Sequence, residues 1–229
     1  MTVAATALYF ALPMKRVLLI NSNTLTTPYP VPPLGLCLLA EALKDRYEVK
    51  VYDGTFQGGG PLPETIAGFE PDYVGLSVRN VDDLTMQHST FYIDEIAKNF
   101  AIPLRQSTRA ALVLGGSGFS LVPRQLMELL DGDYGVVGGG EEPMLQLLEA
   151  LDSGARGEDL ITIPGVLVRG VGASWLWPIP PARSCETGAG NVHHWIDFAP
   201  YRQRGSYPLQ TRRGCAHRCV YCTYPLLEG

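Results

Sequence analysis

Three cysteines near the end of the sequence are the residues best suited to chemistry. Cys215, Cys219 and Cys222 lie within eight residues in the pattern C-x3-C-x2-C, whereas Cys37 and Cys185 stand alone. Three thiolates at this spacing on one loop can bind three irons of a [4Fe–4S] cluster and leave the fourth iron open for a small molecule. We therefore expect a metal or cluster site here and not a disulfide framework.

Zinc is the main alternative for these thiols. Structural zinc normally takes four protein ligands, and His217 lies too close to its neighbours in the sequence to complete the set comfortably. Cys185 stands thirty residues upstream of Cys215 and is a less suitable fourth ligand. The motif therefore favours an iron–sulfur cluster, with zinc as the alternative.

A cluster loop needs elements that position it, and the first 150 residues have an α/β pattern. Short apolar runs alternate with helical patterns, which predicts a five-stranded doubly wound parallel sheet of the flavodoxin-like or Rossmann-like kind. The predicted strands are Arg16–Asn21, Glu48–Asp53, Tyr73–Val78, Ala111–Gly115 and Tyr134–Val137. The predicted helices are Leu34–Asp45, Pro63–Phe69, Leu84–Phe100, Pro123–Leu130 and Glu142–Leu151.

The composition changes near residue 152, which divides the sequence. We expect a leader at 1–13, the α/β domain at 14–152, a linker at 153–205 and the start of a second domain at 206–229. The linker contains an extra predicted strand at Val166–Arg169. A short predicted strand at Tyr207–Gln210 would lead directly into the cysteine loop.

Composition and charge limit the classes of protein. With 229 residues, 46% of them hydrophobic, the chain can bury a core of ordinary size. No apolar run approaches the roughly 18 residues of a membrane span, and no basic residues precede the apolar run at 3–12, so we expect a cytoplasmic protein. The net charge is −5, and the arginines after residue 182 flank cysteines whose thiolates they can neutralise. Nucleic acid is therefore not an expected partner.

Small and polar residues follow every predicted strand. In open parallel sheets, ligands bind beyond the carboxyl ends of the strands. Glycine there lets a ligand approach the backbone, and hydroxyl or amide groups can hold its polar atoms. The candidate cofactor-binding residues are Asn21, Ser22, Asn23, Thr24, Asp53, Ser77, Arg79, Asn80, Gly115, Gly116, Ser117, Gly139, Gly140 and Glu141.

Ordinary turns use the same residue types, so each loop taken alone is more typical of a turn than of a site. Taken together, the five strand ends describe a wide, flat floor that suits a large planar ligand. The sequence has no G-x-x-x-x-G-K-[ST] motif, which disfavours a nucleotide-hydrolysing phosphate loop. Gly116-Ser117-Gly118 does not continue as the dinucleotide-binding fingerprint.

Several motifs in this order carry a family resemblance. The cysteine motif is preceded by Arg213-Gly214, and Tyr221 stands just before its third cysteine. Pro33-Leu34-Gly35-Leu36 opens the first predicted helix, and Gly-Leu-Ser at 75–77, Leu-Gly-Gly at 114–116 and Gly-Gly-Glu-Glu at 139–142 follow. Over almost all of 14–224, the sequence resembles the cobalamin-binding subclass of the radical SAM enzymes.

The resemblance implies three cofactors. Cys215, Cys219 and Cys222 would hold a [4Fe–4S] cluster whose open iron binds S-adenosylmethionine. An electron from a donor such as a flavodoxin or ferredoxin would cleave this molecule to a 5′-deoxyadenosyl radical, and cobalamin would deliver a methyl group to the substrate. Tyr221 would pack beside the cluster or the adenine.

The resemblance also implies a mode of cobalamin binding. The motif D-x-H-x-x-G is absent after the first strand, so cobalt would lack a histidine below it. The nucleotide tail of cobalamin would enter near Ser77 and Gly115-Gly116. Arg79 and Asn80 would lie near the lower face of the corrin, although Arg79 fits a solvated loop residue equally well.

Two functions remain open. The first is the front part of a radical SAM enzyme; with only seven residues after Cys222, we expect this polypeptide to be catalytically incomplete by itself. The second is a non-catalytic cobalamin-binding or sensing module with a vestigial cluster loop. Methylthiotransferase relatives fit less well, because their N-terminal domain carries its own cluster cysteines and only Cys37, predicted to be a core residue, is available here.

Overall fold

A computed structural model describes residues 13–56, 60–83, 87–169, 192–204, 207–209, 213–217 and 219–224. Within these residues a single six-stranded sheet has the order β2-β1-β3-β4-β5-β6. Neighbouring strands from β2 to β5 pair in parallel, and β6 pairs antiparallel with β5. The strands are β1 (Arg16–Asn21), β2 (Glu48–Asp53), β3 (Tyr73–Ser77), β4 (Ala111–Gly115), β5 (Tyr134–Val136) and β6 (Val166–Val168).

α-Helices occupy the connections between the strands, and one more helix follows the last strand. They are α1 (Leu34–Leu43), α2 (Leu62–Phe69), α3 (Ile93–Ile96), α4 (Ile102–Ser107), α5 (Ser117–Leu121), α6 (Pro123–Leu129), α7 (Glu141–Asp152) and α8 (Ala199–Arg204). A π-helical turn at Ala97–Ala101 joins α3 to α4, and short 3-10 helices occupy Gly157–Thr162 and Val192–Trp195. No helix in the described ranges is both long and apolar enough to cross a membrane.

The core lies on both faces of the sheet. Successive side chains of a strand point to opposite faces, so Leu18 and Ile20 join the core under α2, α3, α4 and α6, whereas Val17 and Leu19 join the core under α1 and α7. Because β2 and β3 lie on opposite sides of β1, the connections run in opposite directions from this strand. Such a reversal opens a crevice at the carboxyl ends of the strands.

The structure confirms the predicted fold class and all five parallel strands. Three strands have the predicted bounds, and the strands that begin at Tyr73 and Tyr134 each end one residue early. The extra strand predicted in the linker is β6. It joins the same sheet as an antiparallel edge, so the sheet has six strands and not five. The proposed domain boundaries stay a prediction.

Two predicted elements are wrong. The helix predicted from Leu84 begins at Ile93. Residues 87–92 are not helical, and the backbone N–H groups of Asp83 and Tyr92 donate to the carbonyl oxygens of Thr90 and Val81. Residues 84–86 lie outside the described residues. The strand predicted at 207–210 does not form over 207–209, where Tyr207 and Leu209 are exposed beside no other strand of the described chain. Residue 210, the leader up to residue 12 and Cys185 lie outside the described residues.

Candidate functional site

A cleft of about 650 Å³ opens at the carboxyl ends of the parallel strands. It lies on the face that α1 and α7 cover, and the first turns of these two helices form its walls. Its volume falls in the range of about 300–1,000 Å³ that is typical of cofactor and small-molecule sites. The strands supply its floor through Asn21, Gly75, Leu76, Ser77, Val113, Leu114, Gly115 and Val136.

Glycines keep the floor of this cleft bare. Gly116 has a φ of +102°, and a Cβ atom there would lie 2.5 Å from the carbonyl oxygen of Val78, so only glycine fits. At Gly115 the nearest described atom to an added Cβ is the carbonyl oxygen of Val136, 3.6 Å away, and at Gly140 no atom of the described residues lies within 4 Å. A flat ligand can therefore lie directly against the backbone.

The lining of the cleft combines apolar and polar side chains. Pro33, Leu36 and Leu39 from α1 and its approach, together with Met144 from α7, supply apolar surface. The polar side chains of the lining are Ser77, Arg79, Ser117, Ser120, Glu141 and Arg213. A ligand with an apolar body and polar edges fits such a lining. The corrin of cobalamin, a large ring with amide side chains, has this character.

Nine of the predicted cofactor residues line the cleft. They are Asn21, Ser77, Arg79, Gly115, Gly116, Ser117, Gly139, Gly140 and Glu141. Ser22, Asn23, Thr24 and Asn80 lie instead around a water-sized cleft of about 20 Å³ beside α3, which Arg79 also lines. The roles assigned to these residues stay predictions, because only their positions are given by the structure.

Asp53 does not line the main cleft and instead organises a buried polar network. Its carboxylate accepts hydrogen bonds from Asn21 Nδ2 at 2.8 Å and from the Tyr201 hydroxyl at 2.6 Å. Burial and the hydrogen bond to Asp53 raise the pKa of Tyr201, so the phenol remains a donor. Asp53 therefore orients Asn21, which lies in the floor of the cleft, and anchors α8 to the sheet.

Cys37 lies close to this network and is a core residue, as predicted. Its side chain is buried in α1. Burial, with a contribution from the charge of Asp53, raises the pKa of the thiol to about 12. The thiol therefore stays protonated and unreactive.

The last part of the predicted linker, residues 192–204, packs against the α/β domain and is called the strap segment. Trp195 Nε1 donates to Glu41 Oε2 of α1 at 3.2 Å. Tyr201 is fully buried and packs edge-on against Phe56, with ring centroids 4.8 Å apart. Phe198 contacts the ring of Tyr207 at a centroid distance of 5.4 Å. The strap thus fixes the point from which the chain runs towards the cysteine loop.

The cysteine loop itself is open. Cys215 is half-buried, Cys219 and Cys222 are exposed, and all three thiols are free. Among the residues that the structure describes, no group of three or more His, Cys, Asp and Glu side chains lies close enough to bind a metal. Tyr221 is 87% exposed, so the described residues do not bury its ring in an adenine site. By residue type, three soft thiolates nevertheless fit an iron–sulfur cluster.

One contact that the sequence does not predict joins this loop to the cleft. Arg213, two residues before Cys215, forms an ion pair with Glu141, the first residue of α7. The two residues are 72 positions apart, so no local pattern reveals the pair. The apolar wall at Leu36 and Leu39 was also missed, because leucines at helical spacing predict core and not a site.

The comparisons with known proteins agree with this geometry. The model of the B12 binding domain family matches residues 21–148. The tryptophan 2-C-methyltransferase of Streptomyces laurentii is 28% identical over 93% of this chain and 44% of its own length. The radical S-adenosylmethionine methyltransferase TsrM from Kitasatospora setae, solved with cobalamin and a [4Fe–4S] cluster bound, is 27% identical. That likeness covers 95% of this chain and 42% of TsrM, with a TM-score of 0.72.

A more distant structure shows the fold alone. The cobalamin-dependent S-adenosylmethionine radical enzyme OxsB, solved with aqua-cobalamin and S-adenosylmethionine, is 18% identical over 67% of this chain and 20% of its own length, with a TM-score of 0.50. The chain spans less than half the length of the curated relatives it matches. The resemblance found in the sequence is confirmed: the chain belongs to the B12 binding domain family and is homologous to radical SAM methyltransferases.

Proposed function

We propose that the chain is the cobalamin- and [4Fe–4S]-binding portion of a radical SAM enzyme that cleaves S-adenosylmethionine and transfers a methyl group, by way of cobalamin, to an unactivated centre. One observation carries the proposal. A glycine-floored cleft of cofactor size touches, through Arg213, the loop that holds the C-x3-C-x2-C cysteines. The likeness to TsrM over 95% of the chain supports the same pairing of cofactors.

The residues of the cleft would hold cobalamin by shape and by hydrogen bonds. The bare backbone at Gly115 and Gly140 leaves room for the cofactor, and Leu36 and Met144 would cover its apolar parts. The hydroxyl of Ser117, which donates to the carbonyl oxygen of Arg79 at 3.2 Å, lies where it can also accept from an amide. We place the nucleotide tail near Ser77, as the sequence predicts.

The histidines that the structure describes would not hold the cobalt of cobalamin. Within the described ranges no histidine lines the cleft, and His88, His194 and His217 are all exposed. Arg79 lines the cleft, so we retain it as a residue near the corrin, whereas Asn80 faces the small cleft beside α3. Bound cobalamin supplies a transferable methyl group, and a bound cluster supplies the electron that cleaves S-adenosylmethionine.

Cys215, Cys219 and Cys222 would be the cluster ligands, and Tyr221 would cover the cluster or the adenine once the loop closes around them. The exposure of Cys219 and Cys222 leaves the loop open to an external electron donor of the flavodoxin or ferredoxin kind. The free thiols in the described part of the chain suit a reducing compartment, so we place the protein in the cytoplasm.

Replacing one predicted cluster ligand tests the binding of the cluster and of cobalamin independently. In Cys219→Ala we expect loss of the iron–sulfur absorption after anaerobic reconstitution with iron and sulfide, because two remaining thiolates do not hold a [4Fe–4S] cluster. The same sample should still bind hydroxocobalamin, measured by anaerobic optical titration, with a spectrum that lacks histidine ligation. Cys185→Ala is the matched control and should keep the cluster.

The outcomes of this experiment are distinct. Wild-type chain that binds cobalamin but no cluster would favour the sensing module over the enzyme. A wild-type chain that takes up zinc in preference to the cluster would contradict the assignment of the cysteines. No cobalamin binding by the wild type would contradict the proposed function as a whole.

A further inference from the structure

The ion pair between Arg213 and Glu141 links two parts of the proposed site that lie far apart in the sequence. Both residues line the cleft, and their side chains are 27% and 6% exposed respectively. Only Gly214, at a φ of +74°, separates Arg213 from Cys215. The position of the first cluster cysteine is therefore tied to a carboxylate in the wall of the cleft.

Glu141 holds Arg213 for a physical reason. A carboxylate that is almost fully buried is unfavourable unless a cation or several donors compensate it. Glu141 lies in the first turn of the 12-residue helix α7, whose N-terminal dipole favours a negative charge, but the ion pair in the described structure comes from Arg213. Moving Arg213 away would leave the carboxylate without this cation.

A ligand in the cleft would strengthen this pair. Arg213 is still partly exposed, so water at the cleft weakens its attraction to Glu141. A large ligand that fills the cleft displaces this water and lowers the local dielectric, which increases the interaction between opposite charges. The filled cleft would thus hold Arg213, and with it Cys215, more firmly than the empty cleft does.

We propose that Glu141 and Arg213 are positioning residues that couple the occupancy of the cleft by cobalamin to the conformation of the cysteine loop. This inference rests on the proposed function, because it takes cobalamin as the ligand of the cleft. Coupling between two sites is reciprocal. A loop held in place by its cluster therefore raises the affinity for cobalamin by the same factor by which cobalamin favours the ordered loop.

Thiol accessibility measures this coupling without any catalytic readout. The cluster-free chain is treated with iodoacetamide, with and without saturating methylcobalamin in the dark, and the alkylation of Cys215 is followed by mass spectrometry of its peptide. We expect methylcobalamin to slow this alkylation at least about fivefold, the lower end of ordinary coupling between sites. Cys37, buried and with a raised pKa, should stay unmodified and serves as the internal reference for folding.

Variants distinguish coupling through Arg213 from direct shielding of the Cys215 thiol by cobalamin. In Arg213→Gln the protection of Cys215 by methylcobalamin should disappear at saturation, and Arg213→Lys, which keeps the charge, should retain part of it. Glu142→Gln is the matched control: this neighbouring carboxylate is exposed and accepts a hydrogen bond from Gln146 on the same helix. Its protection should equal that of the wild type.

Protection that is equal in the wild type and in Arg213→Gln would overturn the inference, because cobalamin would then shield the thiol directly. Absence of protection in a wild type that binds methylcobalamin would also overturn it. Binding is read from the cobalamin absorbance of the same samples. A wild type that does not bind cobalamin at all would instead overturn the proposed function.

Discussion

The two ends of the parallel sheet handle polar groups in opposite ways. At the amino end, side chains satisfy one another: Asp152 accepts hydrogen bonds from Lys15 at 2.6 Å, Tyr47 at 2.8 Å and Tyr73 at 2.5 Å. At the carboxyl end, glycine backbone at 115 and 140 faces an open cleft. The same helix, α7, contributes Asp152 to the first end and Glu141 to the second.

The comparison teaches that stability and binding are separated along the strands. The amino end joins the end of α7 to the starts of β1, β2 and β3 through a closed network, so it contributes to folding. At the carboxyl end, beside the Asp53 network, the cleft leaves glycine backbone and volume unused by the fold. The cleft is therefore available to a cofactor. Changes at the amino end should therefore leave cobalamin binding intact, and changes in the cleft should leave stability intact.

The largest effect is expected from filling the cleft. Gly115→Leu should lower the affinity for cobalamin by about 100-fold or more, about 2.7 kcal/mol, because the added side chain takes space that the ligand needs. The free energy of unfolding should change little, since an added Cβ has room at this position. Optical titration and urea unfolding measure the two quantities.

Gly68→Leu is the matched control for this substitution. Gly68 lies in α2, and an added Cβ there meets no atom of the described chain within 4 Å, but the position is exposed and does not line the cleft. It should leave cobalamin affinity unchanged. Equal affinities of the two variants would remove the cleft as the cobalamin site.

A change at the amino end should lower stability and leave cobalamin affinity unchanged. Asp152→Asn should lower the free energy of unfolding by about 2 kcal/mol, since hydrogen bonds to a charged group contribute roughly 1.5–3 kcal/mol and the partial exposure of Asp152 reduces this value. Cobalamin affinity should not change. Asp45→Asn, at an exposed carboxylate in the turn between α1 and β2, is the control. A weaker cobalamin affinity in Asp152→Asn alone would show that the two ends are coupled.

The smallest effect is a pH dependence of the amino end. Burial by itself would raise the pKa of Asp152, but hydrogen bonds from Lys15, Tyr73 and Tyr47 outweigh it and hold the pKa below its ordinary value of 3.8. The stabilisation is therefore complete above the unfolded pKa and is lost as the pH falls through the folded one. The stability gap between wild type and Asp152→Asn should stay constant from about pH 7 to pH 5 and shrink below about pH 4.

Urea unfolding of both proteins at several pH values measures this gap. A gap that widens on acidification would mean that Asp152 is not stabilised in its charged form. Cobalamin affinity, measured over the same pH range, should not follow the gap, because the carboxyl end does not contain this network.

The sequence predicted the floor of the cleft and only part of its walls. The floor follows from strand ends, because the apolar runs predicted as strands end at Asn21, beside Ser77 and at Gly115, where the loops begin. The walls depend on how far α1 and α7 stand apart, which no local pattern encodes. Residues such as Leu36 line the cleft yet have the same type and spacing as the buried core.

The sequence likewise did not predict the long-range polar contacts. Asp53 was predicted to bind a cofactor because it ends a strand, but the structure pairs it with Tyr201, 148 residues away. The ion pair of Arg213 with Glu141 also joins residues far apart in the sequence, 72 positions from each other. In both cases the residue types were noticed, and the partner became visible only once the strap and the cysteine loop returned to the sheet.

The antiparallel strand β6 has a consequence for dividing the protein into parts. It comes from the segment after α7 and covers the open side of β5 with hydrogen bonds. A fragment cut directly after residue 152 would expose the N–H and C=O groups of β5 as a free edge, and such edges pair with other chains and promote aggregation. The strand that sequence alone assigned to a linker therefore acts as the protective border of the cobalamin-binding sheet.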